Sequence, residues 1–368
     1  MTSRIEERKN DHLEICLKEN VQAKRITTGF EELHLVHKAL PEINRREIDL
    51  SIEVFNHKFS APLIIESMTG GSPKAARINA VIAEAVEELG LGMGVGSQRA
   101  ALEDPTAEKT FSIVREKAPN AFIMANLGAP QLVEGYGAKE ARRAVEMLDA
   151  DALTIHLNPL QEAVQPEGET SYEGVLEAIE KIVKGFDVPV IVKETGCGIA
   201  AAEAKQLEAI GVAAIDVAGA GGTSWAAVEY HRAKNQMDET RQRLGEAFWD
   251  WGIPTVASLI EVTQRVSVPV IASGGVRSGI DVAKALALGA AIVGLAYPVL
   301  DPAVHGIEEV KKKLQAIVEE LRNTMFLVGA DSIRKLKNTP VVVTGKMADW
   351  LSIRGFEPQI YARRGLSI

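Results

Sequence analysis

The chain has 368 residues, of which 46% are hydrophobic and 25% are charged, and its formal net charge is −9. This composition is typical of a globular protein with a large core, and the negative balance argues against a general nucleic-acid binder. The two cysteines have no metal-ligand spacing, the N-terminus is charged from its fourth residue, and no apolar run approaches the ~20 residues of a membrane helix, so we expect a cytoplasmic protein without a signal peptide or membrane segment.

Short runs of apolar and β-branched residues predict eight buried strands. They lie at residues 61–67, 89–97, 121–128, 152–158, 188–196, 212–219, 268–275 and 290–296. Stretches with helical spacing separate most of them, for example 75–90, 138–150 and 279–290. Strands that are apolar on both faces and alternate with helices indicate a buried parallel sheet, and eight such units fit a closed barrel better than an open doubly wound sheet. We therefore predict an α/β fold, a (β/α)₈ TIM barrel over residues 61–330.

Three segments lie outside this pattern. Residues 1–60 form an N-terminal extension with a basic opening, RKNDHLEICL, and residues 331–368 form a C-terminal tail. Residues 220–254 separate strands six and seven and contain three of the four tryptophans. Because loops of this length are usually functional or disordered, and this one is rich in aromatic residues and alternating charges, we expect a partly helical lid.

The carboxyl ends of the predicted strands are unusually polar, and active sites of barrels lie at that face. The sharpest element is IASGGVRSG, residues 271–279, after strand seven. Gly274 and Gly275 leave backbone amides bare at a strand-to-helix turn, and Arg277 is expected to start the next helix, which together would bind a phosphate. This stretch and AAIVGLAYP (290–298) resemble the phosphate-binding elements of FMN-dependent barrel enzymes.

Lys193, at the end of strand five, has two interpretations. An ammonium near the N1 and O2 edge of a flavin would favour the anionic reduced ring, whereas a lysine in a barrel can also form a Schiff base. The flavin interpretation is favoured by the surrounding residues that could bind the ring by hydrogen bonds or stack against its face: Ser67, Met68, Thr69, Ser97, Asn126 and Thr223.

The sequence lacks the characteristic residues of two other classes of flavin or barrel enzyme. Oxidases of α-hydroxy acids need a histidine base with a nearby arginine, usually as H-G-G-R, and the sequence has no such run. Enzymes like IMP dehydrogenase need a nucleophilic cysteine after strand six. Cys197 follows strand five instead, and we expect it to be a small buried residue.

The remaining motifs point to one family. The sequence contains RKNDH (8–12), ESMTGG (66–71), GSQR (96–99), HLNPLQE (156–162), VKETGCG (192–198), AGGTSW (220–225) and SGGVRSG (273–279). Together they resemble type II isopentenyl-diphosphate isomerases, over nearly the whole chain from Arg8 to Tyr297. The resemblance implies interconversion of isopentenyl and dimethylallyl diphosphate by a 1,3-allylic proton shift, with FMN active when reduced, NAD(P)H as the reductant, Mg²⁺, and assembly into tetramers or octamers.

The resemblance also assigns roles by position. It implies that the diphosphate is held by Arg8, Lys9, Ser97, Arg99, His156, Asn158 and Gln161, with the N-terminal extension as a substrate-closing arm, and that Glu162 holds Mg²⁺. It implies that FMN is bound by Ser67, Met68, Thr69, Ser97, Asn126, Lys193, Thr223, Gly275, Val276, Arg277, Ala296 and Tyr297.

A mechanism follows from the residue types. Protonation of an unactivated alkene develops a tertiary carbocation, which needs an acid and an anionic face from which water is excluded. Since most polar side chains at the strand ends are assigned to the diphosphate, we predict that reduced FMN is the acid/base catalyst and that Lys193 tunes it. Trp225 and Glu229 are the second choice for shielding and proton transfer. The alternatives are an FMN-dependent oxidoreductase with a small anionic substrate, and a non-catalytic sensor of a phosphate ligand.

Overall fold

The computed structural model describes residues 4–366, so residues 1–3 and 367–368 of the two predicted terminal segments lie outside it. The described part of the N-terminal extension contains one α-helix, two short 3-10 helices and three short strands: α1 (Arg4–Lys18), β1 (Leu33–Leu35), β2 (Ile52–Val54) and β3 (His57–Phe59). Strands β2 and β3 form an antiparallel hairpin, and its turn residues Phe55 and Asn56 both have positive φ, as tight hairpin turns require.

Eight parallel strands then form a closed barrel. They are β4 (Leu63–Ile65), β5 (Gly92–Gly94), β6 (Phe122–Gly128), β7 (Ala152–His156), β8 (Val190–Lys193), β9 (Ala214–Asp216), β10 (Val270–Ala272) and β11 (Ile292–Leu295). Pairing of β11 with β4, for example Gly294 with Ile64, closes the ring. Each of the eight predicted strands is present, and the barrel prediction is confirmed. Most of the predicted ranges are longer because they include apolar residues of the adjoining turns.

Helices surround the barrel and connect its strands. They are α2 (Pro73–Leu89), α3 (Arg99–Glu103), α4 (Lys109–Lys117), α5 (Ala129–Val133), α6 (Ala138–Leu148), α7 (Pro159–Val164), α8 (Val175–Lys184), α9 (Ala201–Ala209), α10 (Trp225–Asn235), α11 (Glu239–Ala247), α12 (Thr255–Thr263), α13 (Gly279–Ala287), α14 (Tyr297–His305) and α15 (Ile307–Leu327). The predicted segment 220–254 contains α10 and α11, and α1 packs against α10. No helix among the described residues is long and apolar enough to span a bilayer.

The C-terminal segment is a folded part of the molecule. It contains α16 (Ile333–Leu336), β12 (Val341–Val343), α17 (Gly345–Ile353) and α18 (Gln359–Ala362). Strand β12 pairs antiparallel with β1, which joins this segment to the N-terminal extension. The sequence pattern did not predict this pairing, because each strand has only three residues and neither belongs to the barrel repeat.

The barrel interior changes character along its axis. Its lower layer is apolar and includes Ile64, Phe122, Ala152, Ile191, Ala214, Ile271 and Ile292, with Phe59 and Phe55 of the β2–β3 hairpin packed against it. Side chains two residues apart on a strand point to the same face, so the next inward layer includes Glu66, Thr154, Lys193, Asp216 and Ser273. Polar side chains therefore fill the carboxyl end of the barrel, above an apolar base.

Candidate active site

A cavity of about 250 Å³ opens at the carboxyl end of the barrel. Its wall includes every residue that the sequence assigned to cofactor, diphosphate or metal: Arg8, Lys9, Ser67, Met68, Thr69, Ser97, Arg99, Asn126, His156, Asn158, Gln161, Glu162, Lys193, Thr223, Gly275, Val276, Arg277, Ala296 and Tyr297. Trp225, proposed for shielding, also lines the cavity, whereas Glu229 does not. The barrel thus brings together residues from all eight strand ends and from α1.

One end of the cavity has the geometry of a phosphate site. Gly274 and Gly275 have φ values of +96° and +69°, which residues with a Cβ rarely adopt. The backbone N–H groups of Gly275 and Val276 donate no hydrogen bond to the part of the chain that the structure describes. The guanidinium of Arg277 lies 5.0 Å from the ring centroid of Tyr297, which is the first residue of α14. Free amides, a cation and a helix N-terminus therefore converge.

The sequence-based prediction that Arg277 starts a helix is wrong in one detail. Helix α13 begins at Gly279, and Ser278 is its N-cap, with Asp281 completing a capping box. The amides of Arg277 and Ser278 both donate to the Asp281 carboxylate, so they are not available to a ligand. The groups that remain free to bind an anion are instead the amides of the preceding turn and the N-terminus of α14.

The residues after β4 offer groups suited to a flat polar ring. The hydroxyl of Ser67 is buried and has no hydrogen-bond partner among the described residues, and Met68 presents a partly buried thioether beside it. Buried hydroxyls normally find partners, so the unpartnered Ser67 supports a ligand in contact with it. With the phosphate end and Lys193, these residues fit an FMN molecule.

Lys193 is buried and held by acidic groups. Its Nζ donates to the backbone carbonyl of Glu194 (2.7 Å) and lies 3.4 Å from carboxylate oxygens of both Glu66 and Asp216. Burial opposes the charged form, but the carboxylates of Asp216, Glu66 and Glu194 outweigh it and hold the pKa of Lys193 above its ordinary value. Lys193 is therefore a permanent ammonium. A lysine that forms a Schiff base needs a lowered pKa, so the structure favours the flavin interpretation.

His156 ends β7 as a neutral group. Burial, followed by the charges of Lys193 and Lys9, lowers the pKa of His156 to about 3. Its Nδ1 lies 2.7 Å from Oδ1 of Asn126. A neutral imidazole has a single N–H, and this contact uses it. Donation from Nε2 to an anion therefore requires protonation of the ring, which the anion itself favours, or rotation of the Asn126 amide.

Glu162 is buried in helix α7, in a ring of donors. One oxygen accepts a hydrogen bond from Asn158 (2.7 Å), and the other accepts from Gln165 (2.5 Å) and the backbone N–H of Glu169 (2.8 Å). Burial raises the pKa of Glu162 despite these hydrogen bonds. Among residues 4–366, no group of three or more histidine, cysteine or acidic side chains could hold a metal by itself. Glu162 fits a Mg²⁺ ion only if a ligand phosphate and water supply the remaining oxygens.

The cations from α1 and α3 are already engaged. Lys9 donates to the backbone carbonyl of Ser97 (2.7 Å), and burial, followed by the charge of Arg8, lowers the pKa of Lys9 to about 7. Arg8 lies 3.8 Å from Glu167. Arg99 is held by Glu103 (2.6 Å) and Glu169 (2.5 Å). These contacts fix the three side chains at the cavity wall.

Glu229, which the sequence placed second for proton transfer, lies behind the wall. Its carboxylate accepts hydrogen bonds from His12 (2.8 Å) and Arg232 (2.7 Å). Burial opposes ionisation, but these partners hold the pKa of Glu229 below its ordinary value. The group is thus an anchored anion that does not face the cavity, because helix α10 turns it toward α1.

Sequence reasoning left several cavity residues without a role. Glu66, His12, Gln131 and Gln165 all line the cavity. Glu66 and His12 lie within quoted motifs, so their positions beside assigned residues were an available signal. Cys197 is half-buried, not buried as expected, because it lies in the loop after β8 and lines a small pocket there.

Comparison with known proteins adds independent information. Residues 167–343 match a family model described as FMN-dependent dehydrogenase. The isopentenyl-diphosphate delta-isomerase of Methanothermobacter thermautotrophicus is 51% identical, over 98% of this chain and 99% of its own length. The protein of the same name from Pyrococcus furiosus is 52% identical, over 94% of this chain and 89% of its own. The chain belongs to the isopentenyl-diphosphate delta-isomerase family. The FMN-dependent model match supports the type II form of the family, as its sequence motifs indicated.

Solved structures with a similar fold share less sequence with this isomerase-family chain. A putative lactate oxidase of Pediococcus acidilactici has a TM-score of 0.64 at 19% identity and covers 88% of each chain. A mandelate oxidase variant with benzaldehyde has a TM-score of 0.63 at 19% identity, over 92% of this chain and 94% of its own. At this identity the likeness supports the barrel fold alone.

Proposed function

We propose that the protein interconverts isopentenyl and dimethylallyl diphosphate by a 1,3-allylic proton shift. The observation that carries the proposal is identity of about 50% over nearly the full length with proteins named isopentenyl-diphosphate delta-isomerase. The cavity supports it, because it has one end suited to a phosphate monoester and a second region rich in amide, imidazole and cationic groups.

The geometry of the cavity supports the FMN-binding residues that the resemblance implies. The free amides of Gly275 and Val276, with Arg277 and the start of α14 at Ala296–Tyr297, would bind its phosphate. Ser67, Met68, Thr69, Asn126 and Thr223 would contact the ring. Reduced FMN, regenerated by NAD(P)H, would supply the acid/base group for the proton shift. Lys193 would place a fixed positive charge beside that group, and Trp225 would exclude water from the reacting carbons.

The substrate diphosphate would lie between α1, α3 and the end of β7. Its binding residues would be Arg8, Lys9, Ser97, Arg99, His156, Asn158 and Gln161. Since a neighbouring anion raises the pKa of a lysine, a bound diphosphate would favour the charged form of Lys9, which takes its proton from solvent. Glu162 would hold Mg²⁺ against the same diphosphate, because Mg²⁺ prefers one or two carboxylates with phosphate oxygens and water.

The proposal also includes the substrate-closing arm and the lid that the sequence analysis predicted. Residues 1–60 would close over the substrate through α1, whose side chains line the cavity. Residues 220–254 would serve as the lid, since α10 supports α1 from outside. We further propose a cytoplasmic homo-oligomer, a tetramer or octamer, without nucleic-acid partners; the free thiols of Cys16 and Cys197 suit a reducing compartment.

A proton NMR assay tests the function. Dithionite-reduced protein is mixed with FMN, Mg²⁺ and isopentenyl diphosphate, with no other reductant. We expect methyl signals of dimethylallyl diphosphate to appear through many turnovers, since the reaction has no net redox change. No conversion, or conversion at the full rate by flavin-free protein, would contradict the proposal.

A second candidate is an FMN-dependent oxidoreductase with a small anionic substrate, which the match to the FMN-dependent dehydrogenase model favours. It predicts that NAD(P)H is consumed in proportion to product. Catalysis after a single priming reduction separates the isomerase from this alternative. A phosphate sensor without catalysis predicts no bound flavin in the purified protein.

A further inference from the structure

Glu66 lies in the floor of the cavity, where the proposed function gives it no role. It follows strand β4, and its carboxylate is 3.4 Å from Nζ of Lys193. A carboxylate oxygen of Asp216, at the end of β9, also lies 3.4 Å from Nζ of Lys193. The side chains of Glu66, Lys193 and Asp216 are 6%, 7% and 2% exposed. One ammonium is thus shared by two carboxyl groups in the polar layer of the barrel.

The barrel makes space for the Glu66 carboxyl group. A Cβ added to Gly294 on β11 would lie 2.0 Å from Oε1 of Glu66, so a side chain at this position would displace the carboxyl group. Both oxygens of Glu66 are buried without a hydrogen-bond donor among the described residues, whereas Asp216 accepts from Ser273 (2.6 Å). Glu66 therefore interacts with its neighbours through charge: it is attracted by the ammonium of Lys193 and repelled by the carboxylate of Asp216.

The charges around Glu66 come from three neighbouring strands. Lys193 and Glu194 lie on and after β8, Asp216 on β9, and neutral His156 pairs with Lys193 in the sheet register. Burial, followed by the charge of Asp216, raises the pKa of Glu66 to about 8. Glu66 is thus mostly neutral at pH 6.5 and mostly ionised at pH 9.5, while Lys193 stays charged across this range.

We propose that Glu66 is a positioning residue that fixes the ammonium of Lys193 and so sets how strongly the site prefers reduced over oxidised flavin. The inference rests on the proposed function in one respect, that FMN binds above Lys193. Ionised Glu66 draws the ammonium toward the floor and offsets its charge. Removing that carboxylate leaves more of the positive charge for the anionic reduced ring.

The experiment compares Glu66→Gln with the natural protein in their FMN complexes. Binding constants for oxidised FMN, and for FMN reduced by dithionite under anaerobic conditions, are measured at pH 9.5 and 6.5. We expect the preference for reduced over oxidised FMN to rise about tenfold at pH 9.5, a midpoint potential about 30 mV more positive for a two-electron couple. At pH 6.5 the two proteins should differ little. The control Glu53→Gln removes the same charge from the exposed hairpin strand β2 at the opposite end of the barrel.

Two further variants show whether Glu66 acts through Lys193. In a Lys193→Met background, Glu66→Gln should no longer change the preference; a shift that persists there would mean that Glu66 acts on the flavin directly and would overturn the positioning role. Gly294→Ala displaces the carboxyl group without removing its charge, so it should shift the preference in the same direction as Glu66→Gln. It also replaces Glu66→Gln as the test if that variant does not fold.

The outcomes separate the inference from the proposed function. If the natural protein binds no FMN, the proposed function itself fails. If FMN binds and neither Glu66→Gln nor Gly294→Ala changes its redox preference at pH 9.5, the function stands and the role of Glu66 is wrong.

Discussion

At the scale of single residues, Glu162, which we propose as the Mg²⁺ ligand, is held in place by its neighbours. Asn158, Gln165 and the backbone of Glu169 hold its carboxylate in one orientation. A carboxylate has about four lone-pair sites, so three hydrogen bonds leave room for a metal ion. Burial disfavours the charged form, and a divalent cation would restore it.

We predict that Glu162→Gln raises the Mg²⁺ concentration for half-maximal activity about tenfold or more, because the amide is a weaker ligand without charge. Activity is measured across a Mg²⁺ titration at saturating substrate. Glu173→Gln, an exposed position in the following loop, is the matched control and should leave the titration unchanged. Identical Mg²⁺ dependence in the two variants would remove Glu162 from the metal site.

At the scale of elements, α1 contributes residues to the cavity wall and is packed against α10. Leu13 and Ile15 of α1 are buried, and Asp11 and His12 face Arg232 and Glu229 of α10. Glu229 thus holds an element that carries binding residues, and it acts at a distance from the cavity. Its depressed pKa means that this contribution is present above the ordinary pKa of glutamate and is lost as the pH falls through the lower, folded-state value.

We predict that Glu229→Gln loosens α1 and raises the KM for isopentenyl diphosphate about tenfold, with kcat changed less than twofold, because one member of a buried charge pair is lost. Steady-state kinetics and hydrogen exchange of the α1 amides measure the two effects. Glu239→Gln, exposed on α11, is the control. A large fall in kcat at unchanged KM would instead restore Glu229 as a proton-transfer group.

At the scale of the whole molecule, the C-terminal segment is fastened to the barrel wall. Glu261 of α12 is fully buried, and Arg354 (3.0 and 2.8 Å) and the indole N–H of Trp350 (3.0 Å) bind its carboxylate. Burial opposes ionisation, but these partners lower the pKa of Glu261. The segment also pairs through β12 with β1, so both ends of the chain depend on this contact.

We predict that Arg354→Ala lowers the free energy of unfolding by about 2 kcal/mol, because it leaves a buried carboxylate with one donor. This loss of stability is smaller than that for a fully buried ion pair, since half of the Arg354 side chain is exposed and water can reach the carboxylate when the guanidinium is removed. Urea unfolding at pH 7 measures the difference, and Arg363→Ala, at an exposed position, is the control. Because the pKa of Glu261 is depressed, the difference should shrink as the pH falls from the ordinary pKa of glutamate through the lower folded-state value. Equal stability of both variants at pH 7 would contradict this role.

The barrel and the location of its cavity could be predicted from local sequence. Strands such as 63–65 are apolar on both faces, as expected for a sheet with helices on one side and a filled barrel interior on the other. Polar residues such as His156 and Lys193 at the ends of such strands must then meet at one face, because parallel strands end together. The eight strands and the gathering of the assigned side chains follow from this pattern.

Contacts between distant parts of the chain depended on the tertiary structure. Closure of β11 onto β4 places Gly294 opposite Glu66, and the neighbouring strands bring Lys193 and Asp216 to the same point. Helix α10 directs the side chain of Glu229 away from the cavity and toward α1. Periodicity gives the face on which a side chain lies but not its neighbour on another element. The sequence therefore determined which residues surround the cavity. Only the tertiary packing decided which of them form ion pairs, because an ion pair depends on distances of a few ångströms that no local sequence pattern contains.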